Sequence, residues 1–383
     1  MATSPNSCNG NCNIALFLQN LEGGGAERSI VALANEIASR GYAIDLVVGD
    51  AGSDYRDEVS SQVNLIDFAT NSPLLQFSNL SRYLRRRNPT VVMSALDLAN
   101  IMLLVAARFS LYRGRKVISQ RAVVDASLRE LGFMRRQLTR ILMRFLFPGA
   151  HALISNSHAA ASEVSALLEV PAERIFTINN AVDLERIDRL AREPLPSGLA
   201  ADDKNALIVS VGSLSKRKDM ETLIRAIAIA RAERAVKLVI LGKGPEQQRL
   251  ESVIGELDLS EHVHLLGFDP NPYKWIAAAR VFVSASTGEG FPNVITEALA
   301  AGPAIVATDC PGDTSWLLGQ GKWGRLVPVG DAERMAQAIL AALDDADPSS
   351  RRSRAAEFSP SRITSAYLKV LLPGQEHPAH FRH

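Results

Sequence analysis

Two glutamates, Glu289 and Glu297, stand eight residues apart in the stretch ASTGEGFPNVITEALAAG, Ala285 to Gly302. Pro292 suits the first position of a helix, where its missing N–H costs nothing, and Gly302 suits the stop, so the pattern predicts a helix from Pro292 to Ala301. The free amides of Asn293 and Val294, with Gly290 allowing close backbone approach, then form an anion site behind the strand-like run VFVSAS. A phosphate is its natural occupant. Glu289 falls just ahead of that helix start and Glu297 more than a turn inside it, so the carboxylates flank the anion instead of facing each other. A carboxylate beside a phosphate is repelled unless it has another task, and accepting paired hydrogen bonds from a vicinal diol is one. A nucleotide sugar has diols at both ends. An isolated pair at this spacing is more often a helix-face glutamate and a solvated loop residue, so the elements around it decide.

From Asn13 short apolar runs alternate with amphipathic helical stretches: IALFLQ, AERSIVALANEIASRG, AIDLVVGD. The alternation begins again at Ala206, with ALIVSVG, METLIRAIAIARA, VKLVILG and further pairs ending in GRLVPV. Strands interleaved with helices argue parallel α/β sheets. Between the two modules, residues 189–205 (RLAREPLPSGLAADDKN) are polar and rich in Pro, Gly and Ala, as a linker would be. The expected organisation is a disordered tail at 1–12, an N-terminal domain at 13–188, the linker, and a C-terminal domain at 206–357. A helix at about 359–372 is expected to return to the first domain, with a frayed tail at 373–383.

A chain of 383 residues, 47% hydrophobic and 22% charged, is long enough for two such domains. With 42 basic against 41 acidic residues, net +1, no global field draws it to nucleic acid. The start, MATSPNSCNGNCN, has neither the basic nor the apolar region of a signal peptide, and no run approaches the length of a membrane span, so a cytoplasmic protein is expected. Three cysteines do not make a disulfide framework, and Cys8-x3-Cys12 has no second ligand pair at zinc spacing.

The run GEGFPNVITEALAAGPAIVATDCPG resembles the E-x7-E signature of retaining glycosyltransferases of family 4. Further stretches agree with that family in order, from LEGGGAERSIVALANEIASRGY through ISNSHAAASEV, INNAVDLERI, VGSLSKRKDMETLIRA, LGKGPEQQRLE and HVHLLGFDPNPYKWIAAARVFVSAS to GRLVPVGD, covering roughly Asn13 to Tyr367. The resemblance implies an α/β protein of the GT-B fold, two Rossmann-like domains facing a central cleft, with the C-terminal one holding the nucleotide. It implies transfer of a sugar from a nucleoside diphosphate sugar, UDP-glucose or a related UDP-hexose, to a saccharide acceptor that is lipid-linked or polymeric. Anomeric configuration is retained, and no metal or other cofactor is required.

Under that resemblance Glu297 holds the ribose hydroxyls and Glu289 lies near the donor sugar and its phosphates. Arg217 and Lys218, in VGSLSKRKD, face the diphosphate as catalytic cations. Where the family often has an arginine directly after the glycine of this motif, this chain has Ser213, so Arg217 must supply the second cation. Such charges would stabilise a leaving nucleoside diphosphate more than the bound substrate. Gly290, Phe291, Pro292, Asn293, Val294 and Leu266 complete the donor side, and Gly24 and Gly25 form an N-domain loop over the phosphates. Gly23-x-Gly25-x-x-Arg28 lacks the third glycine of a dinucleotide fingerprint, which weakens a dehydrogenase reading. Asp97, Arg121 and Asp125 are candidates on the acceptor or donor-sugar side, whereas His158 in ISNSH reads as structural. No dedicated nucleophile is expected, because retention in the family is attributed to same-face attack with the donor phosphate taking the acceptor proton.

LRELGFMRRQLTRILMRFLFPG interleaves Arg129, Arg135, Arg136, Arg140 and Arg144 with large apolar residues, making 128–147 a candidate for peripheral contact with the inner face of a membrane. A helix packed on its own sheet with arginines in water is the plainer alternative. Asp345-Ala346-Asp347, the nearest Asp-x-Asp, ends a C-terminal helix, the wrong place for the metal site of the other glycosyltransferase class. A nucleotide-sugar 2-epimerase of the same architecture and a non-catalytic nucleotide-sugar sensor are the rival functions. The E-x7-E run with its ALAAGPAIVATDCPG continuation argues against the first, and the intact glutamates and Lys218 against the second.

Overall fold

The computed structural model describes residues 13–21, 25–52, 55–121, 132–196, 205–345 and 348–375. The chain divides into two compact units, Met1–Asn179 with Pro360–His383, and Asn180–Ser359.

The first unit is built on seven parallel strands: β1 Asn13–Asn20, β2 Ala43–Asp50, β3 Asn64–Asp67, β4 Val91–Ala95, β5 Arg115–Gln120, β6 Ala152–Ser155 and β7 Ile175–Thr177. Their order is β3-β2-β1-β4-β5-β6-β7. Residues Ile14 to Leu18 of β1 are all buried, since helices cover both faces of the sheet and a central parallel strand reads as an unbroken apolar run. One face packs on the helices Gly25–Ser39 and Pro360–Leu371 through Ile30, Ile37, Leu368 and Leu371. The other carries Pro73–Arg87, Asp97–Phe109 and Phe133–Leu146, which contribute Leu80, Leu84, Leu103 and Met143.

The second unit has six parallel strands, β8 Ala206–Val211, β9 Val236–Leu241, β10 Val263–Gly267, β11 Val281–Ser284, β12 Ala304–Thr308 and β13 Arg325–Val327, in the order β10-β9-β8-β11-β12-β13. The winding direction reverses between β8 and β11, which pair through Ile208 and Val281. Such a reversal opens a crevice at the carboxyl ends of the strands, because the connections leave on opposite sides.

The boundary between the units falls earlier than the polar stretch 189–205 suggests. The helix Leu184–Leu190, capped by the Asp183 carboxylate on the Arg186 amide at 2.9 Å, belongs to the second unit. The Val182 amide donates to the Phe358 carbonyl at 2.9 Å, Asn271 donates to the Leu190 carbonyl at 2.9 Å, and Asp188 pairs with Arg352 at 2.6 Å. Of the expected linker only Arg189 and Leu190 lie in that helix, and residues 191–196 follow it without regular secondary structure. Residues 197–204 of the expected linker lie outside the described residues, as do the tails 1–12 and 376–383. Among the described residues no helix is long and apolar enough to cross a membrane.

Candidate active site

Adjacency of β8 and β11 brings the loops beyond them together. The Thr287 amide, three residues past β11, donates to the Arg217 carbonyl at 2.8 Å, and the Arg217 guanidinium returns a bond to the Gly288 carbonyl at 2.9 Å. That stitching delivers both cations to one carboxylate. Lys218 Nζ lies 2.5 Å from Glu289 Oε1 and Arg217 Nη1 2.9 Å from Oε2, while Ser286 Oγ donates to Oε1 at 2.7 Å. The side chains of Glu289 and Lys218 are only 9% and 12% exposed, so this pair is largely shielded from water; Arg217, at 51%, is its solvent-facing member. Burial pushes the Glu289 carboxyl up, but the charges of Lys218 and Arg217, with the bonds from Lys218 and Ser286, outweigh it and hold the group below its ordinary range. Glu289 is therefore ionised at neutral pH and its two cations are held ready at the crevice.

The backbone of the same loop is clamped from β12. The Glu289 amide donates to the Pro311 carbonyl at 3.0 Å and the Asp313 amide to the Gly290 carbonyl at 3.1 Å. Gly312 between them has φ +127°, and a Cβ there would stand 1.7 Å from the Glu289 carbonyl oxygen, so only glycine fits. Gly242, after β9, meets the same restriction against the Gly212 carbonyl, which sets the backbone on which the Lys218 stem lies.

The helix after this loop runs Asn293–Ala301, not from Pro292. Pro292 has ψ 87° and its carbonyl accepts from Ile295 and Thr296 at 3.0 and 3.3 Å, which makes it the capping residue ahead of the first turn. The amides of Asn293 and Val294 precede the first of those bonds, and Gly302 closes the helix at φ +103°. Glu297 is half-buried and accepts from the Tyr273 hydroxyl at 3.2 Å, and the Asn293 side-chain oxygen accepts from Asn180 at 2.9 Å. Leu266 is 37% exposed near the end of β10. Phe291 departs from its expected place on the donor side: its ring is 6% exposed and packs 5.5 Å from that of Phe358, anchoring the loop into the core.

Known proteins share this architecture and much of this sequence. The family model described as "Glycosyltransferase Family 4" matches residues 23–186, and that described as "Glycosyl transferases group 1" matches 205–345. The N-acetylgalactosamine-N,N'-diacetylbacillosaminyl-diphospho-undecaprenol 4-alpha-N-acetylgalactosaminyltransferase of Campylobacter jejuni is 31% identical over 373 residues, 94% of this chain and 99% of that protein. This chain belongs to the GT-B glycosyltransferases of bacterial glycan biosynthesis. The lipopolysaccharide core biosynthesis glycosyltransferase LpsE of Rhizobium meliloti is 29% identical to it over 366 residues, 91% of this chain and 96% of that protein. Among solved structures, HepE of Anabaena in complex with UDP superposes with a TM-score of 0.75 at 20% identity, covering 94% of this chain and 99% of that one. The lipopolysaccharide outer core galactosyltransferase WaaB, in its apo form, gives 0.73 at 16% identity with 94% and 98% covered. At those identities the structural likeness speaks for the fold.

The remaining sequence candidates of the glycosyltransferase lie in its first unit. Gly25 opens the helix Gly25–Ser39 behind β1 and Asp97 opens Asp97–Phe109 behind β4, on the two sides of that unit's own strand-order reversal. Arg121, just past β5, donates to Ser29 Oγ and to the Tyr367 hydroxyl, both at 3.1 Å, so its guanidinium ties the first helix of the unit to its last. Gly24 and Asp125 lie outside the described residues, as do Cys8, Cys12 and Asp347. His158 is the first residue of the helix His158–Leu168, whose cap is Ser157. Asp345 is paired with Arg325 at 2.8 Å, and among the described residues no group of three or more His, Cys, Asp or Glu could hold a metal ion. Ser286, Tyr273 and the Pro311–Asp313 loop were not singled out by sequence. Ser286 carried a local signal, a hydroxyl three residues before a carboxylate at a loop entry, whereas Tyr273 is 24 residues from Glu297 and carried none.

Proposed function

We propose that this glycosyltransferase moves a hexose from a UDP-sugar to a lipid-linked saccharide with retention of anomeric configuration, and that it does so without metal. The observation that carries the reading is the shielded Lys218–Glu289 pair, with solvent-facing Arg217 on the same carboxylate, at the crevice of the second sheet and four residues ahead of the helix Asn293–Ala301. Two cations and a helix N-terminus suit a diphosphate. When the bond between the sugar anomeric carbon and the diphosphate oxygen breaks, negative charge grows on the leaving nucleotide, and cations already oriented by Glu289 stabilise that charge without reorganising. The acceptor hydroxyl forms the new bond on the same face, and its proton passes to the departing phosphate oxygen, so no protein base is required. Glu297, steadied by Tyr273, receives the ribose diol.

Two relatives support the choice of substrates. The Campylobacter enzyme is named for a diphospho-undecaprenol acceptor, and Anabaena HepE was solved with UDP. The test is calorimetric titration of the protein with UDP, GDP and ADP in EDTA, then analysis of products from UDP-hexoses and a lipid-diphosphate saccharide. Selective binding of UDP and an α-linked product are expected from an α-linked donor. Selective binding of another nucleotide refutes the donor, an inverted product refutes retention, and free epimerised sugar with no transfer refutes the reaction class.

A further inference from the structure

We propose that the helical layer Pro73–Arg87, Asp97–Phe109 and Phe133–Leu146 of the first unit is a docking surface for an anionic lipid bilayer. The helix Phe133–Leu146 exposes Met134 (83%), Leu138 (58%), Ile141 (51%) and Phe145 (80%). Spacings of four, three and four residues place these side chains on one stripe of a helix, opposite Met143, which is buried in the core. Arg135 and Arg144, both exposed, fall about 90° to either side of the stripe, at the level where headgroup phosphates would lie if the stripe entered the acyl region. Arg144 also pairs with the exposed Glu169.

The neighbouring helices continue the same chemistry. Phe77 and Phe109 meet edge to face at 5.7 Å and, with Arg82 and Arg85, line a shallow groove. Leu74, Leu75 and Leu111 are 80%, 56% and 82% exposed. The three helices together carry nine arginines against a single acidic residue, Asp97, in a chain whose net charge is +1. Large exposed apolar side chains are a liability in water, and a concentration of arginine around them fits a negatively charged, partly apolar plane better than a protein partner of ordinary composition. A bilayer is also where a lipid-linked acceptor resides, so the surface deepens the proposed reading and rests on it for that occupant.

The test is co-sedimentation of the full chain, without nucleotide or acceptor, with vesicles of phosphatidylcholine alone or with about 30% phosphatidylglycerol, at low and high salt. Binding to the anionic vesicles only, weakened by salt, is expected. Leu138→Ser with Phe145→Ser is expected to abolish it, and each of Arg82→Gln and Arg85→Gln to weaken it roughly five-fold. All four positions are exposed, and circular dichroism melts confirm that the variants fold. Absence of binding by the wild type, equal binding to neutral vesicles, or undiminished binding by the Leu138/Phe145 variant overturns the proposal. So does a stable dimer in the absence of lipid that Phe145→Ser converts to monomer, since the face would then cover a second copy. None of these outcomes bears on nucleotide binding, so the donor reading stands or falls separately.

Discussion

Lys218→Met tests the site most directly, because methionine keeps a long chain against Gly212 and removes only the charge. In the native protein Nζ is 2.5 Å from Glu289 Oε1, and the two side chains are 12% and 9% exposed. At an effective dielectric of about 20, unit charges at that separation attract by roughly 6–7 kcal/mol before desolvation is subtracted. Removing one partner of a shielded pair costs about 3–5 kcal/mol, and the low end applies here because Arg217 and Ser286 still bind the stranded carboxylate. For a unit of this size, Asn180–Ser359, a loss of about 3 kcal/mol lowers the melting temperature by roughly 6–12 °C. If Lys218 also meets the leaving diphosphate, kcat falls by about 100- to 1,000-fold with a smaller change in KM, as when one preorganised donor is removed from a site of developing charge. Calorimetric melting and initial-rate kinetics read the two effects separately. A variant that melts within about 2 °C of wild type refutes the shielded pair. A variant that melts early but turns over normally refutes the catalytic role while leaving the pair intact.

Neighbouring contacts lead to three further outcomes. Tyr273→Phe removes the hydroxyl that Glu297 accepts and is expected to raise the Kd for UDP about three- to ten-fold by calorimetry, with little effect on melting. Gly312→Ala places a Cβ against the Glu289 carbonyl at φ +127° and is expected to cost roughly 2–4 kcal/mol in thermal unfolding. A carboxyl held below its ordinary value contributes stability that is fully present above that value, 4.5, and is lost as pH falls through the lower folded value. The melting temperature should therefore decline below about pH 5, and Glu289→Gln should flatten that decline.

The two sheets were legible because parallel strands buried on both faces are apolar without interruption, and the helices between them show a separate, longer period. The E-x7-E stretch was legible because Gly290, Pro292 and Gly302 are local signals, each dictated by the backbone within a few residues. The placement of Phe291 was not. An aromatic residue in a glycine-rich loop suits a ligand as well as a core, and the choice was made by Phe358, 67 positions away in sequence. The domain boundary failed for the same reason. Asp188 and Arg352 are 164 residues apart, and only the folded chain shows that the helix Leu184–Leu190 belongs to the second unit.

Arg121 shows what that distinction means for reading a site. Its position after β5, at the carboxyl end of a parallel sheet, is where ligands bind, and the family resemblance made it a candidate on the acceptor or donor-sugar side. Its guanidinium reaches Ser29 and Tyr367, the latter 246 residues away on the helix that returns from the end of the chain. Strand ends collect polar side chains both to meet ligands and to satisfy one another, and spacing within a motif does not separate the two uses. The proposed function assigns Lys218 and Glu289 to the first use because the pair is shielded, carries a second cation in Arg217, and sits where the strand order reverses. Those three properties depend on β8 and β11 being neighbours while β9 and β10 lie to one side. The 71 residues from the lysine to the glutamate supply those outer strands and the helices that cover them. The chemistry of the site is thus a consequence of sheet order, and substitutions that loosen the β8–β11 pairing should disable it without touching either charged residue.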